Sequence, residues 1–211
     1  MPGLYRTAEE KRGLEIRNGT IQFRAVLHYI EEWDRGVTRF TPAILLELHR
    51  LAINQIYTCA GSFRAGAVAL KGSGHAPPEY TEVPKLVEEM CEYINASWDK
   101  PPVHLCAYLM WRINWIHPFF GGNGRTARAA SYLVLCASLN FRLPGEKTIP
   151  DLIVDDRDPY YDALQSADKA WNEGRLDISQ MEGLVSDLLA KQLVMVHNRA
   201  TGGDARRDAP R

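Results

Sequence analysis

The stretch from Trp115 to Arg128, WIHPFFGGNGRTAR, breaks the most apolar part of the chain in two, and this break restricts the fold more than any other feature. Upstream, Pro101-Pro102 precedes a strongly apolar helical pattern that runs through Trp115 and ends near His117. Pro118 stops it, because proline brings no N–H and clashes with the preceding turn. Gly121, Gly122, Asn123 and Gly124 follow, and a second apolar helix is expected from about Asn123 to Leu139. The chain must therefore carry two buried helices joined by a glycine-rich turn.

The remaining pattern is also helical. A charged helix is expected from about Thr7 to Asn18, ending at Gly19. A second follows, with Ile21, Val26, Leu27 and Ile30 at near-helical spacing and Gly36 closing it. Thr41-Pro42 reads as an N-cap with proline in the first turn. Val83-Pro84 opens another helix, Asp158-Pro159 one that ends near Gly174, and Asp177 a last one reaching about Val196. SFRAGAVALKGSGHAPP, from Ser62 to Pro78, departs from this pattern. It alternates Val68 and Leu70 with small residues, turns through Gly72 and Gly74, and reads as a short hairpin or extended flap. The expected fold class is all-α, a helical bundle with one short β-hairpin flap. Residues 1–40 are expected to form N-terminal helices, 41–198 the main domain, and 199–211 a disordered tail that is polar and poor in large apolar groups.

Bulk properties narrow the function class. With Lys plus Arg at 25 and Asp plus Glu at 26, the formal net charge is -1. A dedicated nucleic-acid binder needs a cationic surplus to displace counterions, so none is expected. The longest apolar runs fall short of a membrane span, and the polar start MPGLYRTAEEKR is no signal peptide, so a cytoplasmic protein is expected. Cys59, Cys91, Cys106 and Cys136 lack metal-ligand spacing and are expected as free thiols.

The glycine turn also carries chemistry. Glycine-rich sequence at a helix start aims several backbone N–H groups at one point, and with the helix dipole this makes an anion site suited to phosphate. Arg125 and Arg128 are three residues apart, hence on one face of the first turn, and two guanidinium forks there can grip phosphate oxygens. His117, immediately upstream, can accept a proton near neutral pH and so serve as general base toward a hydroxyl. A helix junction that only packs gains nothing from two arginines converging on glycines. Phosphoryl-type transfer, by contrast, needs positioning and charge neutralisation above all.

The segment HPFFGGNGRTAR resembles the Fic motif H-x-F-x-[D/E]-G-N-G-R-x-x-R: His117, Phe119, Gly122, Asn123, Gly124, Arg125 and Arg128 match. FRAGAVALKGSGHAPPEYTEVPKLVEEM resembles the Fic flap with its following helix, and DPYYDALQSAD a later Fic helix, so the similarity spans roughly Leu14 to Lys191. The resemblance implies a protein adenylyltransferase that moves AMP from ATP to a Ser, Thr or Tyr hydroxyl. His117 would be the base, and Phe119 would anchor the loop in the core. Gly122, Asn123, Gly124 and Arg125 would hold the α- and β-phosphates, and Arg128 the γ-phosphate. The flap would hold a target protein by strand addition. Tyr160 and Tyr161 are candidates to contact adenine. A related branch that phosphorylates its target carries lysine near Arg125, so the arginine favours nucleotidyl transfer.

Two features complicate that expectation. Gly121 stands where the family has the acid that supports Mg²⁺, so metal binding is expected to be weakened; Glu79 and Glu82 near the flap are candidates to replace it. Many Fic proteins also carry an inhibitory [S/T]-x-x-x-E-[G/N] helix. KRGLEIRNG is a degenerate match, with Lys11 for the hydroxyl residue and Ile16 for the last position, and makes Glu15 a candidate brake that pairs with Arg128. Three functions stay open: the adenylyltransferase, a weak or inactive nucleotide- or protein-binding module, and a transferase using another phosphate donor. Self-modification and a homo-oligomer are compatible with each. His75 is a candidate to touch a target, and the Trp-rich stretch LMWRINWIH is expected to pack in the core.

Overall fold

The computed structural model describes residues 3–35, 39–70 and 74–202. Among them are eight α-helices: α1 (Ala8–Asp34), α2 (Pro42–Ile53), α3 (Val83–Ala96), α4 (Pro102–Ile116), α5 (Asn123–Ser138), α6 (Ile149–Asp155), α7 (Asp158–Asn172) and α8 (Ser179–Ala200). The antecedent motifs act as expected. The Thr41 side chain accepts the Ile44 N–H to start α2, and Asp177 accepts both the N–H and the hydroxyl of Ser179 at the start of α8.

The apolar pair α4 and α5 forms the centre. They pack most closely on each other, with α1, α2 and α6 against α5 and with α3, α7 and α8 against α4. Both are buried over nearly their whole length, which is why their sequences are apolar on every face rather than striped. The cysteines are free, with Cys91, Cys106 and Cys136 buried. Trp111 is fully buried as expected, and the Arg112 guanidinium lies 4.3 Å from the Trp115 ring centre and 4.7 Å from that of Trp171.

Several expectations need correction. The two N-terminal helices are one: α1 continues through Gly13 and Gly19. Each glycine costs about 1 kcal/mol relative to alanine. The stripe Asn18, Gln22, Val26, Ile30 and Trp33 is buried along one face, and burying a large apolar side chain contributes about 1.5–3 kcal/mol, so packing wins. The flap is not a hairpin among the described residues: 62–70 and 74–79 contain no strand. Its backbone bonds go elsewhere, with the Arg64 N–H donating to the Pro118 carbonyl, while Pro77 and Pro78 have no N–H to contribute. Gly36, Gly72 and tail residues 203–211 lie outside the described residues; Arg199 and Ala200, assigned above to the tail, belong to α8. Finally, α6 adds a helix to those expected, opened by Thr148-Ile149-Pro150-Asp151, a capping box in which Asp151 accepts the Thr148 N–H at 2.9 Å.

Candidate functional site

The α4–α5 junction is a sharply specified turn. His117 caps α4 in the left-handed region (φ 49°, ψ 57°), which for a residue with a Cβ costs about 1–2 kcal/mol and must be held by its surroundings. Arg64 supplies much of that hold. It is 3% exposed; its Nε donates to the His117 carbonyl at 2.9 Å, and its two terminal nitrogens donate to the carbonyls of Gly66 and Pro78. One flap arginine thus satisfies the end of α4 and pins the flap beside it. His75 is the second pin, its Nε2–H donating to the Trp115 carbonyl at 2.7 Å. Its side chain is 7% exposed and lines the edge of the cavity beside His117.

Across the turn, Phe119 is fully buried and lies parallel to His49, with ring centres 3.6 Å apart. His49 is fully buried and uses both nitrogens. Its Nδ1 accepts the Gly61 N–H at 3.1 Å, which fixes the tautomer, so Nε2–H donates to the Gly121 carbonyl at 3.0 Å. Burial, with a further push from the Arg125 charge, holds its pKa down at about 4 and keeps the ring neutral. Gly122 has φ +81°, and a Cβ there would come within 2.7 Å of Ile53 Cγ2, so only glycine fits. Gly121 is different: a Cβ there would meet the Tyr57 ring at 3.6 Å, an ordinary contact.

Asn123 begins α5 with its side chain already committed. Its Oδ1 accepts the Phe119 N–H at 3.0 Å and its Nδ2 donates to the Phe119 carbonyl at 2.8 Å. It therefore shapes the loop, and its backbone N–H faces the start of the helix. The first helical bond of α5 runs from the Thr126 N–H to the Gly122 carbonyl, and no side chain caps the helix. The N–H groups of Asn123, Gly124 and Arg125 are thus left outside the helical ladder, the geometry of an anion cradle.

His117 lines a cavity of about 460 Å³ together with Gly124, Arg128, Tyr160, Tyr161 and Asp168. Burial lowers the His117 pKa to about 4, the neighbouring Asn114 carbonyl opposes this, and Arg64 and His75 reinforce it. The carbonyl acts as a nearby dipole, since Nδ1 closes no hydrogen bond. The imidazole is therefore unprotonated at neutral pH and able to accept a proton. Tyr160 is buried and accepts a hydrogen bond from Asn114 Nδ2 at 2.7 Å, whereas Tyr161 is 47% exposed at the cavity wall. Arg128 has no carboxylate within ion-pair distance among the described residues, and burial, with Arg157 and Arg125 nearby, holds its pKa down.

Glu15 reaches this site, but not through the expected partner. It lies 3.4 Å from Arg125, not against Arg128. The continuous α1 explains this. Asn18 donates to the Asn54 carbonyl at 2.7 Å and docks this part of α1 on the end of α2, where Arg125 donates to the Ala52 carbonyl at 3.3 Å.

No group of three or more His, Cys, Asp or Glu side chains converges among the described residues. Neither Glu79 nor Glu82 lines the cavity, and Asp168 already accepts the Trp111 indole N–H at 2.8 Å. The residues present therefore do not build a protein-held Mg²⁺ seat.

Arg64 and His49 were not identified from sequence. Each is a polar residue inside an otherwise ordinary stretch, and only the fold shows that both point at one turn.

The Fic/DOC family model matches residues 39–135, a span that holds the whole loop but neither Glu15 nor Tyr160 and Tyr161. The protein adenylyltransferase Fic of Drosophila persimilis is 26% identical over 193 residues, covering 89% of this chain and 35% of the relative; that of Drosophila willistoni gives the same figures. The chain thus spans about a third of the length of these relatives. A Fic domain containing signaling protein from Bacteroides thetaiotaomicron shares the fold with a TM-score of 0.74 at 21% identity, over 94% of this chain and 76% of that one. Fic-1 from C. elegans superposes with a TM-score of 0.66 at 25% identity, over 88% of this chain and 52% of that one. Residues 39–135 thus match the Fic/DOC family model, and the chain shares its all-α fold with solved Fic proteins.

Proposed function

We propose that this chain is a protein adenylyltransferase that moves AMP from ATP to a hydroxyl of a target protein. The observation that carries the reading is the convergence, on one cavity, of a neutral, half-buried His117, the uncapped start of α5 and an Arg128 without a carboxylate partner among the described residues. The curated relatives bearing the name adenylyltransferase support the same reaction class.

The α5 N–H groups and Arg125 would hold the α- and β-phosphates and Arg128 the γ-phosphate, while Tyr160 and Tyr161 flank the adenine. Arg125 must leave Glu15 to take part, which makes Glu15 a brake acting on the first motif arginine. The target hydroxyl, laid along the flap, gives its proton to His117 as its oxygen bonds to the α-phosphorus. The bond to the bridging oxygen breaks, and pyrophosphate departs with its charge spread over both arginines and the helix start.

A second reading has its own observation. Gly121 provides no metal-supporting acid, which favours a nucleotide-binding module with slow transfer, or another phosphate donor. The test incubates the chain and its His117→Ala variant with labelled ATP, Mg²⁺ or Mn²⁺ and cell proteins, including the chain itself, alongside equilibrium ATP binding. His117-dependent label supports transfer. Binding retained with no such label defeats transfer and leaves the module.

A further inference from the structure

We propose that the α4–α5 turn takes its nucleotide as the metal-free polyanion in preference to the Mg²⁺ complex, with arginines and helix N–H groups in the place of a divalent cation. The proposal rests on the nucleotide reading of the cavity and concerns which form of the nucleotide that site selects.

Ligand supply decides the preference. Mg²⁺ is held by oxygen donors, commonly one or two carboxylates along with phosphates and waters. The oxygens of the turn are already engaged. Gly121 and Gly122 have no side chain to offer, and the Asn123 Oδ1 accepts the Phe119 N–H at 3.0 Å. The main-chain oxygens are engaged as well. The His117 carbonyl accepts Arg64 Nε–H at 2.9 Å, and the Pro118 carbonyl accepts the Arg64 N–H at 2.8 Å. The Phe119 carbonyl accepts Asn123 Nδ2–H at 2.8 Å, and the Gly121 carbonyl accepts His49 Nε2–H at 3.0 Å. The Gly122 carbonyl accepts the Thr126 N–H at 3.0 Å.

Two carboxylates come near, and neither is placed to hold a metal at the turn. Asp168 lines the cavity, but it lies two turns beyond Tyr161 along α7, a rise of about 10 Å. One of its oxygens also accepts the Trp111 indole N–H. Glu15 is 3.4 Å from Arg125 and does not line the cavity.

Charge acts in the same direction. Arg64 acts on His117, Arg125 on His49, and Arg157 and Arg125 on Arg128, so the turn sits among guanidinium groups. A free nucleoside triphosphate carries about two more negative charges than its Mg²⁺ complex. Guanidinium and N–H donors therefore hold the free form more strongly. A carboxylate at the turn would reverse the order, because it repels the free polyanion and ligates the metal.

The test measures equilibrium ATP binding to the whole chain by titration calorimetry, in EDTA and in saturating Mg²⁺ at one ionic strength. Gly121→Glu is measured in parallel. A Cβ at that position makes only an ordinary contact with the Tyr57 ring at 3.6 Å, and circular dichroism checks that the variant folds. The expected result is ATP bound about tenfold more tightly in EDTA than in Mg²⁺, with the preference lost or reversed in folded Gly121→Glu. Equal or tighter binding of the Mg²⁺ complex by the unaltered chain overturns this proposal alone, whether or not the variant folds. A preference for free ATP that folded Gly121→Glu leaves untouched overturns it too, since the missing carboxylate would not be its cause. ATP that binds in neither condition overturns the nucleotide reading itself.

Discussion

His49→Phe keeps a ring against Phe119 and removes only the two hydrogen bonds that tie α2 to the loop. The Gly61 N–H and the Gly121 carbonyl each lose a partner at about 3 Å. A neutral hydrogen bond contributes about 1 kcal/mol net, and leaving its partner unsatisfied costs about 1–3 kcal/mol. Both glycines are only half-buried and can regain water, so the loss should fall at the low end, about 2 kcal/mol. His49 also makes stability depend on pH. Its pKa moves from 6.5 to about 4 on folding, so the folded chain binds fewer protons between those values. The stabilisation is fully present above about pH 6.5 and is lost as pH falls through 4. At about 1.4 kcal/mol per unit, the loss is on the order of 3 kcal/mol, and the phenylalanine variant lacks it. Urea denaturation across this range should show the variant less stable at pH 7.5, with the gap closing and reversing near pH 4. A gap that stays constant with pH would refute the assignment of a neutral, doubly bonded His49.

Other outcomes follow from the same contacts. Arg64→Ala strands the His117, Gly66 and Pro78 carbonyls and should cost about 3–5 kcal/mol in thermal unfolding, with Arg64→Lys intermediate. Gly121→Glu has room beside Tyr57, so it should fold normally and raise Mg²⁺-dependent transfer; an unchanged or lower rate would show that Gly121 is not a missing metal ligand. Glu15→Gln breaks a pair whose side chains are 36% and 29% exposed, so ATP affinity should rise no more than about fivefold, and unchanged affinity and labelling would dismiss Glu15 as a brake. With the His117 pKa at about 4, the acid limb of the transfer rate of the free protein should fall nearer pH 4 than 6.5.

The sequence made the helices and the loop legible because their signals are local. A proline in the first turn of α2, α3, α4 and α7 and the glycines of the turn act within a few residues of where they stand. What it hid is non-local. Gly19 looked like a helix end because the face that carries α1 across it becomes buried only against α2 and α5. The flap looked like a hairpin because alternation says nothing about where its backbone groups bond, and Arg64 takes them to α4. Asn123 matched a phosphate-binding position, yet its side chain is spent on Phe119, four residues back. Glu15 could be placed near the motif arginines, but which arginine it meets depends on the path of α1 over the end of α2.

The central claim is that the His117 loop transfers a nucleotide, and parallel reactions with α-labelled and γ-labelled ATP test it most directly. The account predicts that the α-label alone becomes covalently attached to protein hydroxyls, and that His117→Ala abolishes it. Transfer of the γ-label would make the chain a kinase, and retention of neither label alongside intact ATP binding would contradict transfer altogether.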